Sequence, residues 1–249
     1  MVLRMVDSLS GRRALITGAS GGIGAALAEA LARAGADLVL TYSAHREDAL
    51  IAAATAGRMG REATVLQADL GERGAGRDLI ERAGRNGPVD ILVANAGVGV
   101  QRPWEDVDDE LWEHTFAVNT TAPWQLAQTV LPEMAARKYG RILFVSSVAA
   151  LTGGVVGPHY AASKAALHGM LHHLAPRVAP HGITVNAIAP AMIAGTRMLP
   201  VSENMSPPVP IPVGRLGRPA EIAGMAVAML TNPYLTNKVV TLDGGVHPV

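Results

Sequence analysis

The stretch that most constrains this chain is its first apolar run together with the glycine-rich segment behind it. Ala14-Leu15-Ile16-Thr17 reads as a short buried strand, and Gly18-Ala19-Ser20-Gly21-Gly22-Ile23-Gly24 comes straight after it. Over 22–34 the residues Ile23, Leu27, Ala30, Leu31 and Ala34 fall on one face of a helix, and Gly35 stands where such a helix stops. Glycines between a strand and a helix permit a tight turn and let the backbone come close to a ligand. The helix N-terminus beyond them offers unpaired N–H groups and a partial positive charge, a setting that suits a diphosphate.

The alternation continues along the chain. Further strands are expected at 38–41, 64–67, 89–94, 141–146, 184–188 and 239–242. Helices are expected over 47–59, 75–85, 108–137, 159–178 and 219–230, with Pro123 and Pro132 marking bends or a helix start in the long one. Strand–helix alternation of this kind implies βαβ units with right-handed crossovers. The expected fold is α/β: a single Rossmann-type doubly wound domain over 1–249, its sheet mostly parallel and about seven-stranded, flanked by helices. One stretch breaks the pattern. Residues 191–214 hold five prolines, Met198, Leu199 and Met205 with no clear period, which is the composition of a binding loop or of a lid over a substrate.

Composition closes off several alternatives. Lys+Arg and Asp+Glu balance at 21 each, so no whole-chain charge draws the protein to nucleic acid or an acidic membrane. With no cysteine, disulfide scaffolds, thiolate zinc sites and cysteine nucleophiles are excluded. The histidines are scattered, and the adjacent pair His172-His173 faces different ways on a helix, so no metal site is expected. Residues 1–13 lack the unbroken apolar core of a secretory signal, and no apolar run is long enough to span a bilayer, so a cytoplasmic protein without membrane contact is expected.

Four separate motifs now stand in register. Thr17, Gly18, Gly22 and Gly24 form Thr-Gly-x-x-x-Gly-x-Gly; Asn95-Ala96-Gly97 follows the fourth strand; Asn119 lies in the long helix; and Ser147 precedes the Tyr160-x-x-x-Lys164 pair. In these the chain resembles the short-chain dehydrogenase/reductase family, and its pattern is most like that of the 3-oxoacyl-(acyl carrier protein) reductases. The resemblance covers essentially the whole chain, from about Arg12 to Gly245.

Tyr160 and Lys164, four residues apart, lie on one face of a helix. A free phenol has a pKa of about 10, and a nearby ammonium favours its ionised form. The resemblance assigns Tyr160 the acid/base role in hydride transfer between a nicotinamide cofactor and a carbonyl or alcohol carbon. It assigns Ser147 a hydrogen bond to the substrate oxygen, and family spacing selects it over Ser146. Lys164 would lower the Tyr160 pKa and bond the nicotinamide ribose, and Asn119 would hold a water linking Lys164 to solvent. The cofactor would meet Gly18, Ser20, Gly22, Ile23, Gly24, Tyr42, Ser43, Arg46, Asp69, Leu70, Asn95, Ala96, Gly97, Tyr160, Lys164, Pro190 and Ile193.

No carboxylate stands at the end of the second strand, where an NAD site usually keeps one; Tyr42, Ser43 and Arg46 are there instead. NADP is therefore expected over NAD, although Gly21 occupies a place where many relatives that prefer NADPH carry a basic residue. Other departures from the family pattern are Ala191 after Pro190, and Thr196 one place late. The expected substrate wall consists of Val98, Ser147, Leu151, His159, Tyr160, Met192 and Met198. Being mostly apolar, it suits a neutral ketone or an acyl-thioester arm. An acyl carrier protein is a candidate partner, with Arg137, Lys138, Arg141 and Arg177 as a thin basic patch. The resemblance also implies a homo-oligomer, expected as a tetramer. Two other readings stay open: an NAD-dependent alcohol or sugar dehydrogenase on the same scaffold, and a non-catalytic nucleotide-binding protein.

Overall fold

Strands buried on both faces have no polar side to show, and those of this chain are almost wholly apolar. The computed structural model describes residues 9–202, 205–207 and 210–247, so the outermost ends expected for the domain and four positions of the lid lie outside the described residues. In order come β1 (Arg13–Ile16), α1 (Gly22–Arg33), β2 (Asp37–Tyr42), α2 (Arg46–Arg58), β3 (Ala63–Gln67), α3 (Ala75–Gly84) and β4 (Ile91–Ala94). They are followed by α4 (Asp109–Phe116), α5 (Ala122–Ala136), β5 (Gly140–Val145), α6 (Ala149–Thr152), α7 (Pro158–Val178), β6 (Ile183–Pro190), α8 (Pro219–Thr231) and β7 (Val239–Leu242). The strands form a seven-stranded sheet in the order β3-β2-β1-β4-β5-β6-β7, and every described pairing is parallel.

Alternate residues of each strand feed two cores. Ile16, Leu38, Leu40, Ile91, Val93, Leu143 and Ile188 pack beneath α1 and α8, against Leu27, Leu31, Ile222 and Leu230. Leu15, Val39, Leu92, Ile142, Phe144 and Val185 face α3, α5 and α7, against Leu79, Leu126, Val130, Leu167 and Leu171. The chain order reverses between β1 and β4, and this switch point opens a crevice at the carboxyl ends of the strands, where ligands of such sheets bind.

The expected long helix over 108–137 is three pieces. Between α4 and α5 the backbone widens into a π-turn at Ala117–Thr121. Pro123 accounts for part of this. It has no N–H to give the Asn119 carbonyl four residues back, and its ring crowds that carbonyl. Pro132 and Pro176, by contrast, are carried inside α5 and α7. Among the described residues of 191–214 there is no helix or strand beyond one bridge, Ile193 to Gly217.

The opposite end of the sheet corrects one expectation. Asp90 is buried there, accepts the Arg13 backbone N–H at 3.0 Å, and is paired with Arg137. Arg141 is buried too, its guanidinium donating to the carbonyls of Leu230, Gly140 and Gly182. Arg137 and Arg141 therefore anchor the amino-terminal ends of the central strands. They do not form a carrier-protein docking patch, and they lie at the end away from the crevice.

Candidate active site

The crevice is built first from backbone. Gly18 adopts φ 67°, and a Cβ placed on it would stand 2.9 Å from Ala96 Cα. A Cβ on Gly24 would run into the Gly18 carbonyl and come within 2.8 Å of Ala19 Cα. Only glycine lets α1 start this close to β1. Side chains then lock the turn to β4: Thr17 Oγ1 accepts from the N–H groups of Asn95 and Ala96, both at 3.0 Å. Asn95 Nδ2 donates to the carbonyls of Thr17 at 2.8 Å and Gly18 at 3.2 Å.

A groove runs from this turn along the strand ends. Of the residues expected to meet a cofactor, Gly18, Ser20, Gly22, Ile23, Gly24, Tyr42, Ser43, Asp69, Leu70, Asn95, Ala96 and Gly97 line it, with Val98 from the expected substrate wall. Arg46 begins α2 and is exposed. Asp69 accepts the Gly71 N–H at 2.9 Å, a turn-closing bond made at the groove wall. Pro190 and Ile193 are buried and do not line it; the Ile193 carbonyl accepts from Thr196 Oγ1 at 3.0 Å, and the displaced threonine does reach the groove.

Asn119, Ser147, Tyr160 and Lys164 converge at the other end. Asn119 lies in the π-turn, fully buried. Its amide takes both backbone groups of Val98, accepting from N–H at 2.9 Å and donating to C=O at 2.8 Å, and it donates to Ser163 Oγ at 3.0 Å. The wide turn aims this side chain at the loop after β4, a use for which π-turns are kept at functional sites. Lys164 is buried and donates from Nζ to the Val145 carbonyl at 2.9 Å, and its Nζ stands 5.9 Å from the Tyr160 ring centre. A Cβ on Gly97 would lie 3.1 Å from that ammonium and 3.2 Å from Asn119 Oδ1, so the glycine leaves both open to the groove.

The electrostatics differ from expectation. Burial pushes the Tyr160 phenol above its ordinary value, opposed by a hydrogen bond from Ser147. Burial also holds Lys164 down at about 8. An ammonium stripped of water and given a neutral carbonyl is a weakened charge. Lys164 therefore does not offset the burial of Tyr160 in the protein alone.

Two residues of the expected substrate wall stand elsewhere, and a third, Leu151, is exposed on α6. His159 is fully buried and its Nε2 meets the Val100 carbonyl at 3.1 Å, so it ties the 98–102 loop to the start of α7 from beneath and presents no surface to a substrate. Met192 lines a separate cavity with Ile211, Val213 and Leu242. Met198 does reach the site. A Cβ on Gly99 would meet Met198 Cε at 2.5 Å and the Tyr160 ring at 3.0 Å, so these three lie together. Sequence reasoning passed over Gly99, Ser163, His114 and Arg197. Ser163 was visible as a small polar residue between Tyr160 and Lys164, whereas His114 and Arg197 reach the groove only through tertiary contact. Among the described residues no helix is long and apolar enough to cross a membrane.

This arrangement can hold a dinucleotide along the groove and present a phenol, a hydroxyl and an ammonium at one end of it. Comparison with known proteins agrees. The family of short chain dehydrogenases matches residues 12–206. A 2-dehydro-3-deoxy-D-gluconate 5-dehydrogenase of Bacillus subtilis is 34% identical over 244 residues, covering 96% of this chain and 95% of its own length. A 3-oxoacyl-[acyl-carrier-protein] reductase of Aquifex aeolicus is 32% identical over 246 residues, covering 97% and 99%. Among solved structures, a 3-oxoacyl (acyl-carrier-protein) reductase of Agrobacterium tumefaciens with NADP bound superposes with TM-score 0.89 at 33% identity, covering 98% of each chain.

Proposed function

The chain belongs to the short-chain dehydrogenase family, and on that premise we propose that this oxidoreductase is an NADPH-dependent carbonyl reductase acting on a ketone or 3-oxoacyl group. The observation that carries the reading is the meeting of Ser147, Tyr160 and Lys164 beside Gly97 and Gly99, at one end of a groove whose other end is a glycine turn at a helix N-terminus. The residues fit the cofactor: a side chain on Gly18 or Gly24 would close the turn, and their absence leaves backbone N–H groups of α1 facing the groove.

When bound, the nicotinamide supplies the hydride to the carbonyl carbon, or accepts it in the reverse direction. Tyr160 gives its phenolic proton to the oxygen as negative charge develops there, and Ser147 donates a hydrogen bond to the same atom. Burial keeps the phenol protonated until that charge appears, which is the state a proton donor needs. Lys164 would hold the nicotinamide ribose and return the proton to Tyr160, and a water held by Asn119 would link Lys164 to solvent. A pKa of about 8 allows Lys164 to pass protons near neutrality.

NADP is preferred to NAD because Tyr42 ends β2 and Ser43 follows it, with no carboxylate at either position. The substrate is a neutral ketone or acyl thioester, since Val98, Gly99 and Met198 make the wall beside Tyr160 apolar. We extend the reading to a cytoplasmic homotetramer, and to an acyl carrier protein as the source of thioester substrates. The gluconate-type relative favours a second reading, an NAD-dependent alcohol or sugar dehydrogenase. Purified protein is to be titrated with NADPH and NADH and assayed on simple ketones, 3-oxoacyl thioesters and keto-sugar acids. NADPH preference with turnover on ketones or thioesters supports the first reading; NADH preference with turnover on sugar acids alone replaces it with the second.

A further inference from the structure

Arg197 follows Thr196 in the lid, and its guanidinium crosses the groove to the nucleotide end. Nη2 donates to the Ser20 carbonyl in the glycine turn at 3.0 Å and to Asp48 Oδ2 at 2.8 Å. Ser20, Tyr42, Ser43 and Arg197 line the same groove. Past the end of the second strand is where such sheets receive the adenosine ribose of a dinucleotide.

The charges there pose a difficulty for a phosphorylated ribose. Gly21 leaves the glycine turn without a cation, and in the first turn of α2 the single cation Arg46 stands beside Glu47 and Asp48, two carboxylates that would repel a phosphate. Arg197 is the lid's answer to one of them. Its pair with Asp48 is about half exposed on both sides, 45% and 54%, and an ion pair as open as this is held weakly and exchanges readily. A phosphate dianion is the stronger partner for a guanidinium, accepting through several oxygens where Asp48 offers one contact.

We propose that Arg197 is the residue that selects the 2′-phosphate of the cofactor, exchanging Asp48 for that phosphate and so supplying from the lid the cation absent from position 21. The inference rests on the NADPH reading above. It also ties cofactor choice to the lid: the segment that carries Met198 to the substrate carries Arg197 to the nucleotide.

Equilibrium binding tests it without turnover, by fluorescence titration of NADPH and NADH and calorimetry of 2′,5′-ADP and ADP, on wild type, Arg197→Ala and Asp48→Asn. Arg197→Ala is expected to weaken NADPH and 2′,5′-ADP by about tenfold, the worth of one charge-assisted hydrogen bond, and to leave NADH and ADP within about twofold. Asp48→Asn removes the competing carboxylate and is expected to tighten NADPH while NADH stays unchanged. Equal weakening of both dinucleotides in either variant makes the pair a lid latch blind to the phosphate and overturns the proposal, as does unchanged NADPH binding in Arg197→Ala. Failure of the NADPH reading shows separately, as wild type that binds NADH at least as tightly as NADPH. A thermal melt of each variant confirms that folded protein is compared.

Discussion

The floor of the groove and its lid are held in different ways. On the floor, Thr17, Asn95, Asn119 and Lys164 are buried or half-buried, and each bonds backbone groups of another segment at 2.8–3.2 Å. Over 191–214 the described residues of the lid meet the floor by close contact and through the Arg197 side chain, which pairs with Asp48 in the open and donates to the Ser20 carbonyl. The place of a Cβ on Gly22 is taken by the Gly195 carbonyl, 2.5 Å from it, that of a Cβ on Gly99 by Met198, and Arg197 crosses to Asp48. A floor fixed by hydrogen bonds to backbone can keep reacting groups in place before substrate arrives. A lid resting on side chains can change shape cheaply. Substitutions on the floor should therefore alter turnover and stability, and those on the lid affinity and selectivity.

Tyr160→Phe tests the floor most severely. It removes the proton donor while keeping the ring that packs beside Gly99 and Met198, so kcat should fall by about 100- to 10,000-fold with NADPH affinity unchanged. Steady-state kinetics with a parallel NADPH titration checks this; a variant that kept wild-type turnover would remove Tyr160 from the chemistry. Asn119→Ala comes next. It orphans the N–H and C=O of Val98, at about 1–3 kcal/mol for each group that water does not reach, while Ser163 Oγ loses one bond and keeps its donation to the Tyr160 carbonyl. Urea unfolding should show that loss alongside a lower kcat.

Lys164→Met separates function from stability on the same floor. Burial depresses the Lys164 pKa from 10.5 to about 8, so the unfolded chain binds the extra proton between those values and the native state gains stability as pH rises through them. Below pH 8 the full penalty of a buried ammonium is present, of order 3 kcal/mol at about 1.4 kcal/mol per unit. The inactive methionine variant should then be the more stable protein at pH 7, by about 1–3 kcal/mol once the lost bond to Val145 is counted. Its advantage should shrink to nothing between pH 8 and 10.5. Urea midpoints across that range check it, and an advantage independent of pH would put the cost elsewhere than in the charge.

The same division explains what could be read in the sequence. The seven strands and the glycine turn were legible because they rest on backbone demands: strands buried on both faces must be apolar, and Gly18 and Gly24 stand where no Cβ fits. The four residues at the groove's catalytic end were legible through the family resemblance. The π-turn that aims Asn119 left only Pro123 as a sign, and the expectation there was a bend. His159 looked like a wall residue because it precedes Tyr160, yet one step along a helix turns a side chain by about 100°, and the ring went under the 98–102 loop. Arg137 and Arg141 read as surface charge because nothing local reveals Asp90 or the Leu230 carbonyl waiting for them. Arg197 was equally hidden, since the lid has no period from which a facing side could be read.

Met198→Ala is the mildest test and the one that most directly asks whether lid and floor are separable. The thioether lies over Gly99 against the Tyr160 ring, and Met198 is itself 46% exposed, so its removal opens space at the substrate and leaves the core intact. Stability should move by less than about 0.5 kcal/mol, the usual effect of a surface change. KM for a bulky apolar ketone should rise about 3- to 10-fold, in line with the loss of roughly 1 kcal/mol of apolar contact, while kcat for a small ketone holds. A matching fall in kcat for small and bulky ketones alike would mean that Met198 helps to position Tyr160, and the division between a catalytic floor and a selective lid would have to be redrawn at that contact.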